Sequence, residues 1–214
     1  QKVFGDRGRM KAANVWLTNT FPDPDFTVSE WSDEFRQIPS TAGAEVGQWR
    51  TSRAPYLKKI MDVLSPSHPC RKSVFIKPSQ IGGTEAAQNA IMSFAHLAPG
   101  PILYVHSTLD TAEKWSKQRF QPSLDMTPAM GEIFRPARSR DSGNTLMVKN
   151  FRGGLLIITG SNSASALRSM PIRYLLMDEV SSYPGDVDGE GDPIKLAEAR
   201  TTNYSFNRKI FLFS

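Results

Sequence analysis

The stretch Val74-Phe75-Ile76-Lys77-Pro78-Ser79-Gln80-Ile81-Gly82-Gly83-Thr84-Glu85 decides how the chain is read. Its first three residues, β-branched or aromatic, predict a buried strand, and the Pro, Ser and Gly that follow predict a loop. From Thr84 to Leu97 the apolar residues Ala86, Ala87, Ala90, Ile91 and Phe94 recur at helical spacing. A strand, a glycine-bearing loop and a helix N-terminus in succession make an anion cradle, because the backbone amides face the ligand and the helix dipole favours negative charge.

Against the phosphate-loop pattern G-x-x-x-x-G-K-[ST], Gly82 is the second glycine and Thr84 the hydroxyl that reaches Mg²⁺. Gly83 stands where the lysine is expected, and Lys77 where the first glycine is. The positive charge has moved from the end of the loop to its start, a position from which a flexible ammonium still reaches the β and γ oxygens. The competing reading of Gly82-Gly83-Thr84 is a tight turn with a capping threonine.

A second segment supports the phosphate reading. Arg173-Tyr174-Leu175-Leu176-Met177-Asp178-Glu179 is an apolar strand ending in adjacent carboxylates, roughly 95 residues after the loop. A Walker B strand has this form, with Asp178 placed to hold hydrated Mg²⁺ and Glu179 to polarise an attacking water. The bland reading is two acids opening an exposed loop.

Strands and helices alternate around these two motifs. Ile102 to Val105 reads as a strand, and Thr111 to Phe120 as a helix capped by Thr108 or Asp110. Thr145 to Val148 and Leu155 to Thr159 read as a hairpin turning at Asn150 to Gly154, and Ile210 to Phe213 as a last buried strand. The class is therefore α/β, a mainly parallel sheet covered on both faces with ligands at the carboxyl ends of the strands. A helix follows Pro55, with Tyr56, Leu57, Ile60, Met61 and Leu64 on its inner face, and Ser65 to Pro69 breaks it. Residues 1–54 carry little periodic pattern apart from an amphipathic stretch near Val28 to Phe35. The expected organisation is an N-terminal arm over 1–54 and a nucleotide-binding domain over 55–214.

Composition bounds the rest. With 39% apolar residues in 214, the chain buries a core of ordinary domain size, which excludes wholesale disorder. The lone Cys70 forms no internal disulfide, and no apolar run approaches the roughly 20 residues a bilayer span needs. A secreted staple fold and a membrane span are thereby excluded, and a cytosolic compartment is expected. The net charge of +5 is mild and evenly divided, but seven Lys and Arg face one acid, Asp141, between residues 135 and 173. That cluster is either a phosphate-contacting surface or a solvated basic face. The chain begins without Met and stops just after a strand-like run, as expected of a piece of a longer protein.

Taken together, the residues resemble the large terminase subunit of tailed bacteriophages, in its lambda GpA-like branch. The likeness runs from about Val28 to Ser214. It rests on Gly47-Gln-Trp-Arg50 with Arg53-Ala-Pro-Tyr56, Lys77 to Glu85, Ala166-Leu167-Arg168, Leu175 to Tyr183, Asp186 to Asp192, and Lys209 to Ser214. The resemblance implies an ASCE-type P-loop ATPase that uses ATP and Mg²⁺ to move double-stranded DNA into a procapsid. It implies the displaced lysine at Lys77, loop contacts from Ser79, Gln80, Ile81, Gly82, Gly83 and Thr84, and metal contacts from Thr84 and Asp178. Glu179 matches the catalytic glutamate. Trp49, Arg53 or Tyr56 match a segment placed against adenine, with Tyr56 favoured, and Ser214 matches the first member of a pair that senses the γ-phosphate. Arg168 sits where related motors carry a catalytic arginine, and a structural ion pair is its alternative role. Many terminase loops carry Arg where this one has Ser79.

The family further implies a homo-oligomeric ring, a small terminase subunit and a portal protein as partners, the cytoplasm of an infected bacterium as compartment, and a nuclease domain downstream of this chain. Two other functions fit the same residues: a helicase-like nucleic-acid translocase, and a non-catalytic portal- or scaffold-binding module with a vestigial loop.

Other signals are set aside. Asp186-x-Asp188-x-Glu190-Gly191 imitates a calcium loop, but its eighth place is Pro193 and its twelfth is Ala197. The same acids lie too close in sequence for a two-metal nuclease. His68, His96, His106 and Cys70 lack zinc spacing. Trp16, Trp31, Trp49 and Trp115 read as packing anchors.

Overall fold

The computed structural model describes residues 25–40, 46–78, 80–134, 145–168 and 170–214. Ser79, Trp16 and the arginines at 135, 138 and 140 lie outside these residues. Helix α1 (Val28–Phe35) starts at a capping box: the Thr27 hydroxyl accepts the Glu30 amide while the Glu30 carboxylate accepts the Thr27 amide. The short strands β1 (Gln37–Ile38) and β2 (Gly47–Gln48) pair antiparallel, and a 3₁₀ turn over Thr51–Arg53 leads into α2 (Tyr56–Leu64). Strand β3 (Lys72–Phe75) precedes the loop, and α3 (Gly83–Leu97) follows it.

After β4 (Ile102–His106), Thr108 caps α4 (Leu109–Trp115), which passes through a π-helical turn over Ser116–Phe120 into α5 (Gln121–Met126). The sequence predicts a regular helix as far as Phe120. Pro122 explains the difference: it has no amide to donate to the Gln118 carbonyl, and its ring displaces that carbonyl, so the turn ahead of it widens. A single turn, α6 (Pro128–Gly131), leads towards the hairpin β5 (Val148–Phe151) and β6 (Gly154–Gly160). Its turn is only two residues, because Phe151 already pairs with Gly154. The chain then forms α7 (Ala164–Leu167), β7 (Tyr174–Asp178), α8 (Pro193–Ala199) and β8 (Lys209–Phe213).

The main sheet runs β3-β8-β7-β4-β6-β5, parallel throughout except that β5 is antiparallel to β6. Every residue of β4, β7 and β8 is buried, as expected of central parallel strands covered on both faces. Alternate residues serve two cores. Tyr104, Tyr174, Leu176, Phe211 and Phe213 face α1, α2 and α3, while Leu103, Val105, Leu175, Met177, Ile210 and Leu212 face α7 and α8. In β3 the side chains of Lys72 and Val74 are exposed and those of Ser73 and Phe75 half-buried, the pattern of an edge strand among the described residues. One extra strand, β8, therefore separates the loop strand β3 from the acid-bearing strand β7, the arrangement of an ASCE-type P-loop fold.

Helix α3 lies at the centre. It is buried from Ala86 to Ala95, and its alanines let it pack closely between the sheet and the N-terminal helices. Trp31 of α1 is wholly buried and donates its indole N–H to His96 Nδ1 at 2.9 Å. The N-terminal segment thus contributes to the same core. Phe94 stacks on Tyr174 with ring centroids 4.0 Å apart. Phe94→Ala should destabilise the fold by about 3–5 kcal/mol, the usual cost of emptying a buried aromatic site. Urea denaturation is expected to show a lower midpoint with an unchanged slope.

Candidate active site

The carboxyl ends of β3, β7 and β4 open into a cleft of about 780 Å³. One wall is the loop, with Lys77 and residues 80–85, and the floor holds Asp178, Glu179 and His106. The opposite wall is α4 with its π-helical turn, contributing Thr111, Lys114, Trp115, Gln118 and Arg119. The sequence reading missed this wall. Its only signal was position, directly after a strand whose carboxyl end belongs to the ligand side.

Local backbone geometry shapes the loop. Gln80 and Gly82 are left-handed, at φ of 61° and 83°, so the chain turns tightly enough to present its amides. Helix α3 begins at Gly83 with no side-chain cap, leaving its first amides to an external acceptor. The displaced lysine now has a physical account. A Cβ on Gly83 would lie 2.6 Å from Lys77 Cε and 2.9 Å from Lys77 Cδ, so the lysine stem runs across the surface that glycine leaves bare. Phe213 supports the stem from beneath, with Lys77 Nζ 6.0 Å from its ring centroid.

The two motifs touch. Thr84 Oγ1 donates to Asp178 Oδ2 at 2.9 Å across 94 residues of sequence, and Tyr104 Oη donates to the same oxygen at 3.2 Å. Burial pushes the Asp178 carboxyl up, and the hydrogen bonds from Thr84 and Tyr104 pull it back. His106 Nδ1 lies 4.0 Å from Asp178 Oδ2, and burial lowers this imidazole to about 4, so it is neutral at pH 7. Glu179 is exposed and left-handed at φ of 53°, a strained backbone position for a non-glycine residue. The donor set fits Mg²⁺: a hydroxyl and a carboxylate share one hydrogen bond, with a second carboxylate next in sequence and a cleft sized for phosphates and water. Among the described residues no group of three or more His, Cys, Asp or Glu forms a closed metal cage.

The remaining candidates separate. Ser214 joins three segments: its amide donates to the Phe75 carbonyl, its own carbonyl accepts the Lys77 amide at 2.8 Å, and its hydroxyl bonds Ser181. Arg168 does not line the cleft; it pairs with Glu190 at 2.6 Å and donates to the Ala164 carbonyl. Tyr56 is half exposed at the start of α2, outside the lining, although a Cβ on Gly82 would lie 2.9 Å from its neighbour Leu57. The helix that was expected to bury Tyr56 turns it outward instead. Trp49 is buried, donating to Thr51 and lying under Arg36. The Asp186 carboxylate accepts the Gly189 and Gly191 amides and Asp192 caps α8, so both are engaged by backbone. Within the basic cluster, Lys149 donates to Gln121 and Arg173 to the Ala98 and Pro99 carbonyls.

Residues 43–214 match the family described as phage terminase large subunit gpA, ATPase domain. The chain belongs to this family. Relatives include the terminase large subunit of Enterobacteria phage P21, 26% identical over 86% of the chain, and that of Escherichia phage lambda, 23% identical over 84%. The chain spans about 28% of the length of each. The large terminase of the thermophilic bacteriophage D6E shares the fold, with a TM-score of 0.51 and 16% identity over 73% of this chain and 38% of that one. No helix among the described residues of this gpA-family domain is long and apolar enough to cross a membrane.

Gly83→Ala should displace the Lys77 stem while leaving the fold intact. The expected result is a melting temperature within a few degrees of wild type and ATP affinity lower by about tenfold, the equivalent of roughly 1.4 kcal/mol, read by calorimetric titration.

Proposed function

We propose that this chain is an ATP-hydrolysing motor domain that drives double-stranded DNA into a procapsid. The observation that carries the reading is the Thr84–Asp178 hydrogen bond, which joins the phosphate loop to the acid-bearing strand within one cleft. In this reading Lys77 and the amides of residues 79–83 hold the β and γ phosphates, and Thr84 with Asp178 holds Mg²⁺. The bound ion would neutralise charge on the phosphate oxygens. Glu179 accepts a proton from the attacking water, a role suited to an exposed carboxylate on a rigid strand end. Ser214 is assigned to γ-phosphate sensing, because its hydrogen bonds link the start of the loop at Lys77 with Ser181, two residues after Glu179.

Tyr56 is assigned to the adenine side, because its neighbour Leu57 packs against the loop at Gly82. Arg168 is assigned to a neighbouring subunit's site, since its own cleft does not include it. The N-terminal arm over 1–54 and the ATPase domain over 55–214 are proposed as the organisation. The homo-oligomeric ring, the small terminase subunit, the portal protein and the cytoplasm of the infected bacterium complete the proposal.

A turnover assay tests it. Wild type should hydrolyse ATP with Mg²⁺, and Glu179→Ala should lose about 100-fold or more in kcat, the lower range of general-base loss, while still binding ATP. Lys77→Ala should bind ATP more weakly. Turnover by wild type no higher than by these variants, with duplex DNA present, would falsify the motor reading. Stimulation by single-stranded rather than duplex nucleic acid would point to a helicase-like translocase instead.

A further inference from the structure

We infer that Tyr104 is a positioning residue for the Asp178 carboxylate, fixing which of its oxygens is presented to Mg²⁺; this rests on the nucleotide-binding reading above. Tyr104 lies on β4, beside β7, and is wholly buried. Its ring is clamped on two sides. The Trp115 ring meets it edge-on at 4.6 Å, and the His106 ring lies at 4.3 Å. Trp115 in turn stacks on Phe120 at 4.8 Å, so the π-helical turn that walls the cleft also holds the tyrosine.

A phenol fixed this firmly delivers its hydroxyl to one place, Asp178 Oδ2. Thr84 Oγ1 donates to that same oxygen, so a hydroxyl from the cleft wall and one from the buried sheet both fill Oδ2. Oδ1 is left without a hydrogen-bond donor among the described residues. A carboxylate free to turn would offer either oxygen; this one is held in a single plane by one hydroxyl from the loop helix and one from the sheet. His106, the other polar side chain near Oδ2, stands at 4.0 Å, too far to share the task. With only Thr84 in place, a change at the loop would let the carboxylate swing, whereas the Tyr104 hydroxyl ties it to the sheet. The tyrosine appeared in the sequence only as an apolar strand residue, and nothing in the spacing of the two motifs pointed to it.

The test compares Tyr104→Phe, which keeps the ring and removes the hydroxyl, with Tyr174→Phe. Tyr174 is a second buried tyrosine of the same sheet, whose hydroxyl donates to the Ala98 carbonyl at 2.7 Å, away from the cleft. Binding of a fluorescent ATP analogue is titrated in EDTA and at rising Mg²⁺, and melting is followed by near-ultraviolet circular dichroism. The expected result for Tyr104→Phe is unchanged affinity in EDTA, with a half-saturating Mg²⁺ concentration raised by about tenfold, as for loss of a group that orients a metal ligand. Tyr174→Phe should follow wild type. An unchanged Mg²⁺ dependence in Tyr104→Phe, or an equal shift in both variants, overturns the inference. Failure of wild type itself to bind the analogue with Mg²⁺ would instead remove the nucleotide reading on which the inference stands.

Discussion

Phe213 pairs in register with Phe75 on one side and Asp178 on the other, and this double pairing at the end of β8 is the constraint on which the site depends. A parallel ladder brings all its strand ends to one edge, so the residue after each strand arrives at the same surface. Lys77 lies two residues past β3, Ser214 directly follows β8, and Glu179 directly follows β7. The Phe213 ring then lies beneath the lysine stem and against the face of Gly83. One aromatic residue thus sets the strand register and supports the loop charge.

The acid at the centre of the cleft is costly to hold. Burial disfavours the charged form of Asp178, and two hydroxyl donors only partly offset that cost. A bound cation would supply the rest, so the same burial that destabilises the carboxylate alone increases its attraction for one. Strained backbone surrounds it: Gln80 in the loop and Glu179 after β7 both occupy left-handed conformations that side chains other than glycine adopt reluctantly. The strain falls on the two segments that would meet the phosphates and the attacking water; the buried strand β7 leads into one, and the buried helix α3 follows the other.

Much of this was legible in the sequence because the central strands are nearly continuous apolar runs and the motifs sit at their ends. Ile102 to Val105, Tyr174 to Met177 and Ile210 to Phe213 each announce a buried strand by composition alone, whereas Val74 to Ile76, equally apolar, belongs to the edge: β3 ends at Phe75, and Val74 and Ile76 are exposed. The π-helical turn was not legible, because its cause is a single proline acting on the turn before it. Nor was the wall of Lys114, Gln118 and Arg119, since exposed polar residues on a helix look the same whether they face solvent or a ligand. Tyr104 was hidden for the opposite reason: inside a run of Ile, Leu and Val it reads as core, and its hydroxyl acquires meaning only when β7 lies beside β4. Arg168 and Tyr56 show how far motif position reaches, since it named both residues but not the directions their side chains take.

The lysine stem lying across Gly83 also constrains how such loops can change over descent. A side chain at 83 and the present course of Lys77 compete for one volume. A lysine added at 83 therefore has to displace the flexible Lys77 stem from its present course. Losing Lys77 first leaves the loop with no cation at all. The two arrangements are alternatives for one volume, and a change from one to the other passes through a loop with two competing lysines or with none.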